Sequence, residues 1–161
     1  LALSREGALA PADRAQRWLS GEAAVREVHR LRASADAILV GIGTALADDP
    51  ALTVRHGRAP RVPPRRLVLD RGATLPRNSQ LARTAQSIPV EVLAAQPDPE
   101  RVAALKSVGV AVYEAPSLAA HLTGLRERGV RHLFVEGGAA VADAFLQGGF
   151  VDRWVIFQTP V

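Results

Sequence analysis

Short apolar segments alternate with helix-like segments through the second half of the chain, and this alternation limits the possible folds more than any other feature. The pattern predicts strands over 90–93, 110–113, 131–136 and 152–158, and helices over 98–107, 117–128 and 138–147. Strands that are separated by helices pair in parallel, with helices on both faces of one sheet. The prediction is therefore an α/β fold with three α-β-α layers, a mostly parallel central sheet and a single domain over 1–161.

The first half of the chain gives weaker but compatible signals. We predict strands over 1–4, 36–41 and 66–70, and a helix over 20–32 whose face carries Val25, Val28 and Leu31. Pro50 forces Asp49 out of helical geometry, so any helix after Thr44 is brief.

Composition excludes several classes of protein. The hydrophobic content is 48%, the charged content is 22%, and no apolar run reaches the ~18 residues that span a bilayer. The chain has no cysteine, which excludes disulfides and cysteine-ligated zinc. No signal segment is visible, so a cytoplasmic location without membrane contact is expected, and the absence of methionine indicates that Leu1 is not the native start. Four histidines lack metal-ligand spacing and are interpreted as structural or exposed: His29, His56, His121 and His132.

Arginines concentrate between Asp49 and Asp70, where no acidic residue intervenes. One interpretation is a solvated loop, because glycine and prolines share the stretch. The other is recognition of a phosphorylated small molecule, whose geometry suits the guanidinium fork. We predict a mixture, in which Arg55 is functional and the other arginines are mainly solvated. Nucleic acid is not expected as a partner, since five Phe and Tyr rings and two tryptophans leave little for base stacking.

Two predicted strands end in glycines followed by polar or small residues. The first reads Gly41-Ile42-Gly43-Thr44 and the second Glu136-Gly137-Gly138. Such junctions bring backbone amides close to a phosphate, and a helix start favours a pyrophosphate there. Each is also compatible with a tight turn that binds nothing, and Glu136 with capping of helix amides. The first junction lacks the third glycine of the Rossmann fingerprint, which argues against an ordinary dinucleotide-binding domain.

A series of longer motifs resembles a known family. The segments 18–23, 28–33, 36–44 and 47–55, followed by Leu69-Asp70, 135–138 and 149–161, are similar in order and content to the reductase domain of bacterial riboflavin-biosynthesis deaminase-reductase proteins, the RibD C-terminal type. The resemblance covers essentially the whole chain. It implies a dihydrofolate-reductase-like fold whose C-terminal strands are missing here. It also implies NADPH-dependent reduction of 5-amino-6-(5-phosphoribosylamino)uracil to its ribityl product.

The resemblance also assigns residues to the site. It implies substrate contacts by Gln16, Arg32, Leu52, Arg55 and Glu136, and catalytic or orienting roles for Asp48 and Glu136. It implies cofactor contacts by Ala2, Trp18, Thr44, Asp48, Arg71, Gly138, Ala139, Ala140, Val141, Ala142, Asp143 and Ala144. No metal is implied.

Departures from the family pattern leave alternatives open. Gln16 and Arg71 stand where members often have serine, and the added guanidinium of Arg71 either grips the cofactor's 2′-phosphate or crowds a natural contact. Two other hypotheses therefore remain compatible with the sequence: a related NADPH reductase of another substrate, and a nucleotide-binding module without turnover. Expected partners are a second copy of the chain and a fused or separate deaminase domain. The apolar residues near 150–157 are compatible with burial against that copy and equally with coverage of both faces inside the complete domain.

Overall fold

Five parallel strands form the central sheet, in the order β5-β4-β3-β2-β6. The coordinates are a computed structural model that describes residues 2–3, 22–57 and 59–158. Within these residues the strands are β1 (Ala2–Leu3), β2 (Ala37–Gly41), β3 (Arg65–Leu69), β4 (Val90–Ala94), β5 (Ala111–Glu114), β6 (Leu133–Val135) and β7 (Phe157–Gln158). The helices are α1 (Glu22–Ala33), α2 (Ile42–Asp48), α3 (Gln80–Arg83), α4 (Pro99–Ser107), α5 (Leu118–Glu127) and α6 (Ala139–Gln147). A separate two-stranded parallel pair joins β1 to β7.

Alternate residues of each central strand enter two different cores, one on each face of the sheet. Ile38 and Val40 face the core that holds Leu81 of α3 and Leu105 of α4. The neighbouring Ala37 and Leu39 face the core that holds Leu125 of α5, together with Val141 and Phe145 of α6. A strand that is covered on both faces must be apolar throughout, which explains the unbroken Ala37–Gly41 segment. The predicted three-layer α/β fold is confirmed.

The observed boundaries differ most from the sequence prediction for three elements: helix α2, strand β6 and the last strand, β7. Helix α2 begins at Ile42, two residues before Thr44, and ends where Asp49 adopts a φ of 40°. Strand β6 is shorter than predicted and begins at Leu133. The N–H groups of Arg131 and His132 both donate to Asp36 Oδ2, each at 2.8 Å, while His132 O accepts from Asp36 N and Ala37 N. The predicted strand over 152–158 is wrong except at Phe157–Gln158, where Ala2–Leu3 is the pairing partner.

Arg66 corrects the prediction that the arginines around it are mainly solvated. Its side chain is 1% exposed, and it donates to three backbone carbonyls, Ala51 O, Thr84 O and Ile88 O, and to Thr84 Oγ1. Arg65 is half-buried and pairs with Glu91 at 3.2 Å. Arg66 lies on the same face of β3 as the buried Val68, and its fork satisfies oxygens that burial would leave without donors.

Among the described residues, no helix combines the length and the apolar character that crossing a bilayer requires.

Candidate functional site

The two glycine junctions follow neighbouring strands. Strand β2 pairs in parallel with both β3 and β6, so the carboxyl ends of all three meet at one edge of the sheet. A Cβ atom added to Gly138 would lie 3.6 Å from Thr44 Oγ1. The structure therefore places the two junctions side by side, at the kind of edge where open α/β sheets bind their ligands.

Glycine is required at both strand ends by the close approach of α6. A Cβ on Gly41 would lie 2.6 Å from Val141 Cγ2, and one on Gly137 would lie 2.5 Å from Val141 Cβ. Val141 thus packs over both strand ends, and its own side chain is buried. The two glycines allow the start of α6 to sit directly against the edge of the sheet.

The helices that begin at this edge lack side-chain caps. Helix α2 starts after Gly41 and α6 after Gly138, in both cases without a side-chain hydrogen bond at the N-cap. By contrast, Ser79, Asp98 and Ser117 cap α3, α4 and α5 with their side-chain oxygens. Gly138, Ala139 and Ala140 are all exposed. Unblocked amides, small side chains and the positive end of the helix dipole together fit a phosphate or pyrophosphate.

Thr44 and Asp48 lie one turn apart on α2, and residues at this spacing share a helix face. Thr44 is half-buried and Asp48 is exposed. The adjacent Asp49 has a structural contact: its Oδ1 accepts the Gln80 N–H at 2.7 Å. Asp49 therefore has a structural contact at the end of α2, while Asp48 stands on the same helix as Thr44.

Glu136 is held by Arg32 in a two-point ion pair. Arg32 Nε lies 2.5 Å from Glu136 Oε1, and Arg32 Nη2 lies 2.7 Å from Oε2. The side chains are 11% and 17% exposed, respectively. Arg32 Nη1 also donates to Thr53 O at 2.9 Å. Both oxygens of Glu136 act as acceptors, so the pair fixes a carboxylate at the start of the second glycine junction. The Arg32 contact with Thr53 O connects this carboxylate to the segment 49–55.

The segment 49–55 is fastened to the body of the molecule at several points. Arg66 Nη1 donates to Ala51 O at 3.1 Å, Arg32 Nη1 to Thr53 O, and the Arg55 N–H to His29 Nδ1 at 3.0 Å. Leu52 adopts a φ of 49° and is 3% exposed within the core. A substrate contact by Leu52 would therefore use its main chain, since its side chain packs inward.

The Arg55 side chain itself is exposed. Within the described ranges, its guanidinium makes no hydrogen bond or ion pair. Only the backbone N–H of Arg55 is engaged, so the cation remains available to an anionic ligand.

Burial, together with the nearby cations Arg32, His56 and Arg55, lowers the pKa of His29 to about 4. His29 is therefore neutral near neutral pH, as its role as acceptor for the Arg55 N–H requires. Its ring meets that of His56 edge-on, with centroids 4.7 Å apart.

Arg71 follows β3 at the same edge of the sheet, and its Nη2 donates to Gln96 Oε1 at 2.6 Å. The preceding Asp70 is buried and satisfied by Thr74 Oγ1 and Leu75 N, at 3.0 and 2.8 Å. Asp70 thus shapes the turn that presents the exposed Arg71. Sequence reasoning assigned no role to Gln96, because nothing local signals a contact with a residue 25 positions away.

The remaining predicted contact residues lie on α6, on β1 or outside the described residues. Ala142 is half-buried and Ala144 is exposed on α6, and Asp143 accepts Gln147 Nε2 at 2.9 Å. Ala2 lies in β1, paired with Phe157. Gln16 and Trp18 lie outside the described residues. No group of three or more His, Asp or Glu among the described residues is arranged to hold a metal ion.

Apolar side chains remain exposed near the end of the chain. Phe150, Trp154 and Ile156 are 37%, 41% and 57% exposed. They lie beyond α6, and Phe150 and Trp154 line a cavity of about 400 Å³ along β6, the edge strand of the central sheet. The expected pairing with a second copy of the chain stays a prediction.

Comparison with known proteins gives a consistent result. The family described as the RibD C-terminal domain matches residues 1–161. A 2,5-diamino-6-ribosylamino-4(3H)-pyrimidinone 5′-phosphate reductase of Archaeoglobus fulgidus is 36% identical over 174 residues, which cover 100% of this chain and 78% of that protein. The riboflavin biosynthesis protein RibD of Chlamydia trachomatis is 35% identical over 165 residues, 99% of this chain and 44% of that protein.

Solved structures agree. The structure of RibD from Acinetobacter baumannii superposes with a TM-score of 0.83 at 29% identity, covering 100% of this chain and 44% of that one. The chain thus spans most of the archaeal reductase but less than half of the RibD proteins that it matches.

Proposed function

Because this chain belongs to the RibD C-terminal domain family, we propose that it is an NADPH-dependent reductase of riboflavin biosynthesis. The reaction is the reduction of 5-amino-6-(5-phosphoribosylamino)uracil to 5-amino-6-(5-phosphoribitylamino)uracil. The observation that carries the proposal is the meeting, at one edge of the sheet, of an uncapped helix start and the Arg32–Glu136 pair. The first fits a cofactor pyrophosphate and the second fits a polar substrate beside it.

The described residues fit a dinucleotide laid across three strand ends. The first-turn amides of α6, beginning at Ala139, would hold the pyrophosphate, and a Cβ added to Gly138 would come into van der Waals contact with Thr44. Arg71, at the end of β3, would hold the 2′-phosphate that distinguishes NADPH from NADH. When bound, the nicotinamide supplies a hydride to C1 of the ribose.

Substrate recognition follows from the polar groups on the other side of the junction. The exposed guanidinium of Arg55 is suited to the 5′-phosphate. Glu136, held as an acceptor by Arg32, orients ribose hydroxyls. Asp48 is placed on the Thr44 face of α2, where it can orient a substrate or cofactor hydroxyl or handle a proton. In this account the protein contributes mainly positioning and exclusion of water.

A second candidate substrate is the 2,5-diamino-6-ribosylamino-4(3H)-pyrimidinone 5′-phosphate that gives the archaeal relatives their name. The chain covers 78% and 68% of two such proteins, against 44% of a RibD protein. Both candidates carry the same ribosylamino phosphate, so the same roles for Arg55 and Glu136 apply to both. They differ only in the pyrimidine ring.

The RibD relatives are more than twice as long as the matched region, which supports a deaminase domain, fused or separate, as a partner that supplies the uracil substrate. We also infer a cytoplasmic location and pairing of two copies, as expected for a metabolic enzyme of this kind.

The test is NADPH oxidation by the purified protein with each pyrimidine separately. The proposal predicts turnover that requires a ribosylamino phosphate, and the preferred ring identifies the substrate. Turnover with an unrelated carbonyl compound alone would favour a reductase of another substrate. Tight NADPH binding without hydride transfer to either pyrimidine would favour a binding module. Substitution of Arg55 by Ala should raise the Kd for the phosphorylated substrate about tenfold or more, and the Kd for NADPH by less than about twofold.

A further inference from the structure

Four side-chain contacts fix the segment that presents Arg55. Counting from its start, they are Gln80 N to Asp49 Oδ1, Arg66 Nη1 to Ala51 O, Arg32 Nη1 to Thr53 O, and Arg55 N to His29 Nδ1. The contact with His29 is the last of them. Immediately beyond it, His56 and Gly57 are exposed and Gly57 adopts a φ of 90°. His29 therefore sets the point from which the Arg55 side chain leaves the body of the protein.

The position of His29 on α1 allows it to fix the Arg55 backbone. It is 4% exposed on α1, one helical turn before Arg32, so both side chains reach segment 49–55 from the same helix face. The contact demands a specific protonation state, since Nδ1 accepts the Arg55 N–H at 3.0 Å and the ring proton must sit on Nε2. The charged or titratable groups that face the ring are Arg32 on α1, Arg55 at the end of the segment and His56 just after it, all of them basic.

We infer that His29 is a positioning residue for phosphate binding: its neutral Nδ1 fixes the Arg55 backbone and thereby aims the Arg55 guanidinium. This inference rests on the proposed role of Arg55 in binding the substrate phosphate. His29 does not touch the phosphate in this account. Its effect on phosphate affinity therefore passes entirely through Arg55, which a purely structural role in the core would not require.

The experiment measures the affinity of the purified protein for ribose 5-phosphate in a double-mutant cycle. His29→Phe removes the acceptor while keeping an aromatic ring, and should raise the Kd for ribose 5-phosphate about fivefold. In an Arg55→Ala background the same change should alter the Kd by less than about twofold, because the guanidinium it aims is gone. His29→Asn, whose Oδ1 can occupy the Nδ1 position, should restore most of the affinity.

Binding of NADPH is the internal control, with a Kd that stays within about twofold in every variant. Equal losses for NADPH and ribose 5-phosphate, or an undiminished effect of His29→Phe in the Arg55→Ala background, would overturn the inference. If Arg55→Ala alone leaves the affinity for ribose 5-phosphate unchanged, the proposed phosphate role of Arg55 fails instead.

A measurement on the unaltered protein covers variants that do not fold. The ¹⁵N shifts of His29 report which ring nitrogen carries the proton. The inference predicts a protonated Nε2 and a free Nδ1 at neutral pH. A proton on Nδ1 would contradict it.

Discussion

Arg32 and Glu136 stand 104 positions apart in the sequence and meet in a two-point ion pair at the carboxyl edge of the sheet. Arg32 lies in the last turn of α1, and Glu136 follows β6, the strand that flanks β2. The pair joins the segment that presents Arg55 to the junction that begins α6, through the Arg32 contact with Thr53 O. The proposed substrate and cofactor regions therefore share one rigid connection.

Removal of the charge on Glu136 tests its role as an acceptor. Glu136→Gln keeps the shape of the side chain but weakens both contacts with Arg32. We expect kcat/KM for the pyrimidine to fall about tenfold or more, with a change in the NADPH Kd below about twofold. Steady-state kinetics and titration with NADPH check both. A comparable loss of NADPH affinity would show that Glu136 serves the cofactor or the fold instead.

Replacement of Arg32 tests the structural side of the same pair. Arg32→Met leaves the carboxylate of Glu136 and the carbonyl of Thr53 without their donor. We expect the free energy of unfolding to fall by roughly 1–3 kcal/mol, measured by urea denaturation. Arg26→Met on the exposed face of the same helix is the matched control and should change stability by less than about 0.5 kcal/mol. Equal effects of the two substitutions would contradict the account.

The buried Arg66 is expected to matter more for stability than for affinity. Arg66→Met leaves three carbonyl oxygens and a threonine hydroxyl without this donor. A loss of roughly 2–4 kcal/mol in the free energy of unfolding follows. Arg61→Met, at an exposed position of the same basic stretch, provides the comparison. If Arg66→Met unfolds at the same urea concentration as Arg61→Met, the contacts of Arg66 contribute nothing net.

Arg71 should set the preference for NADPH over NADH. Arg71→Ser removes the guanidinium at the end of β3 and should raise the NADPH Kd about tenfold while leaving the NADH Kd within about twofold. Arg126→Ser is the control, because Arg126 lies in the last turn of α5 and is exposed. An Arg71→Ser protein that still discriminates between the two cofactors would place the 2′-phosphate elsewhere.

His29 also makes stability depend on pH. Its pKa is about 4 in the folded protein and 6.5 as the ordinary value, so the unfolded chain binds the extra proton between these limits. The contribution of neutral His29 to the free energy of unfolding is therefore fully present above pH 6.5 and declines as the pH falls toward about 4. The decline should be roughly 1–3 kcal/mol for His29.

His121, whose pKa burial also lowers, acts with the same sign. His29→Asn should therefore flatten the slope only in part, as urea unfolding at a series of pH values will reveal. An identical slope in the two proteins would contradict the pH assignment.

Local patterns were sufficient to predict most of the fold. The apolar strands at Ala37–Gly41 and Val90–Ala94 and the helices capped by Asp98 and Ser117 have signals within a few residues of themselves. The ends of β6 and β7 were wrong because their limits depend on distant partners, Asp36 and Ala2–Leu3. Strand limits that depend on long-range pairing leave no local trace.

The same distinction applies to the candidate site. The glycine junctions were visible in the sequence, and parallel pairing of β2 with β6 brings them together. The burial of Arg66 and the contact of His29 with Arg55 were not predictable, because both depend on how a loop folds back over a helix and a strand. The composition of the basic stretch does not distinguish a buried arginine such as Arg66 from a solvated one such as Arg61.

The decisive experiment for the proposed cofactor site is a crystal structure of the protein with NADPH bound. The proposed cofactor site predicts pyrophosphate oxygens within hydrogen-bond distance of the N–H groups of Ala139 and Ala140, with the adenosine 2′-phosphate at Arg71. A cofactor bound away from the start of α6, or one whose pyrophosphate contacts none of these amides, would contradict it.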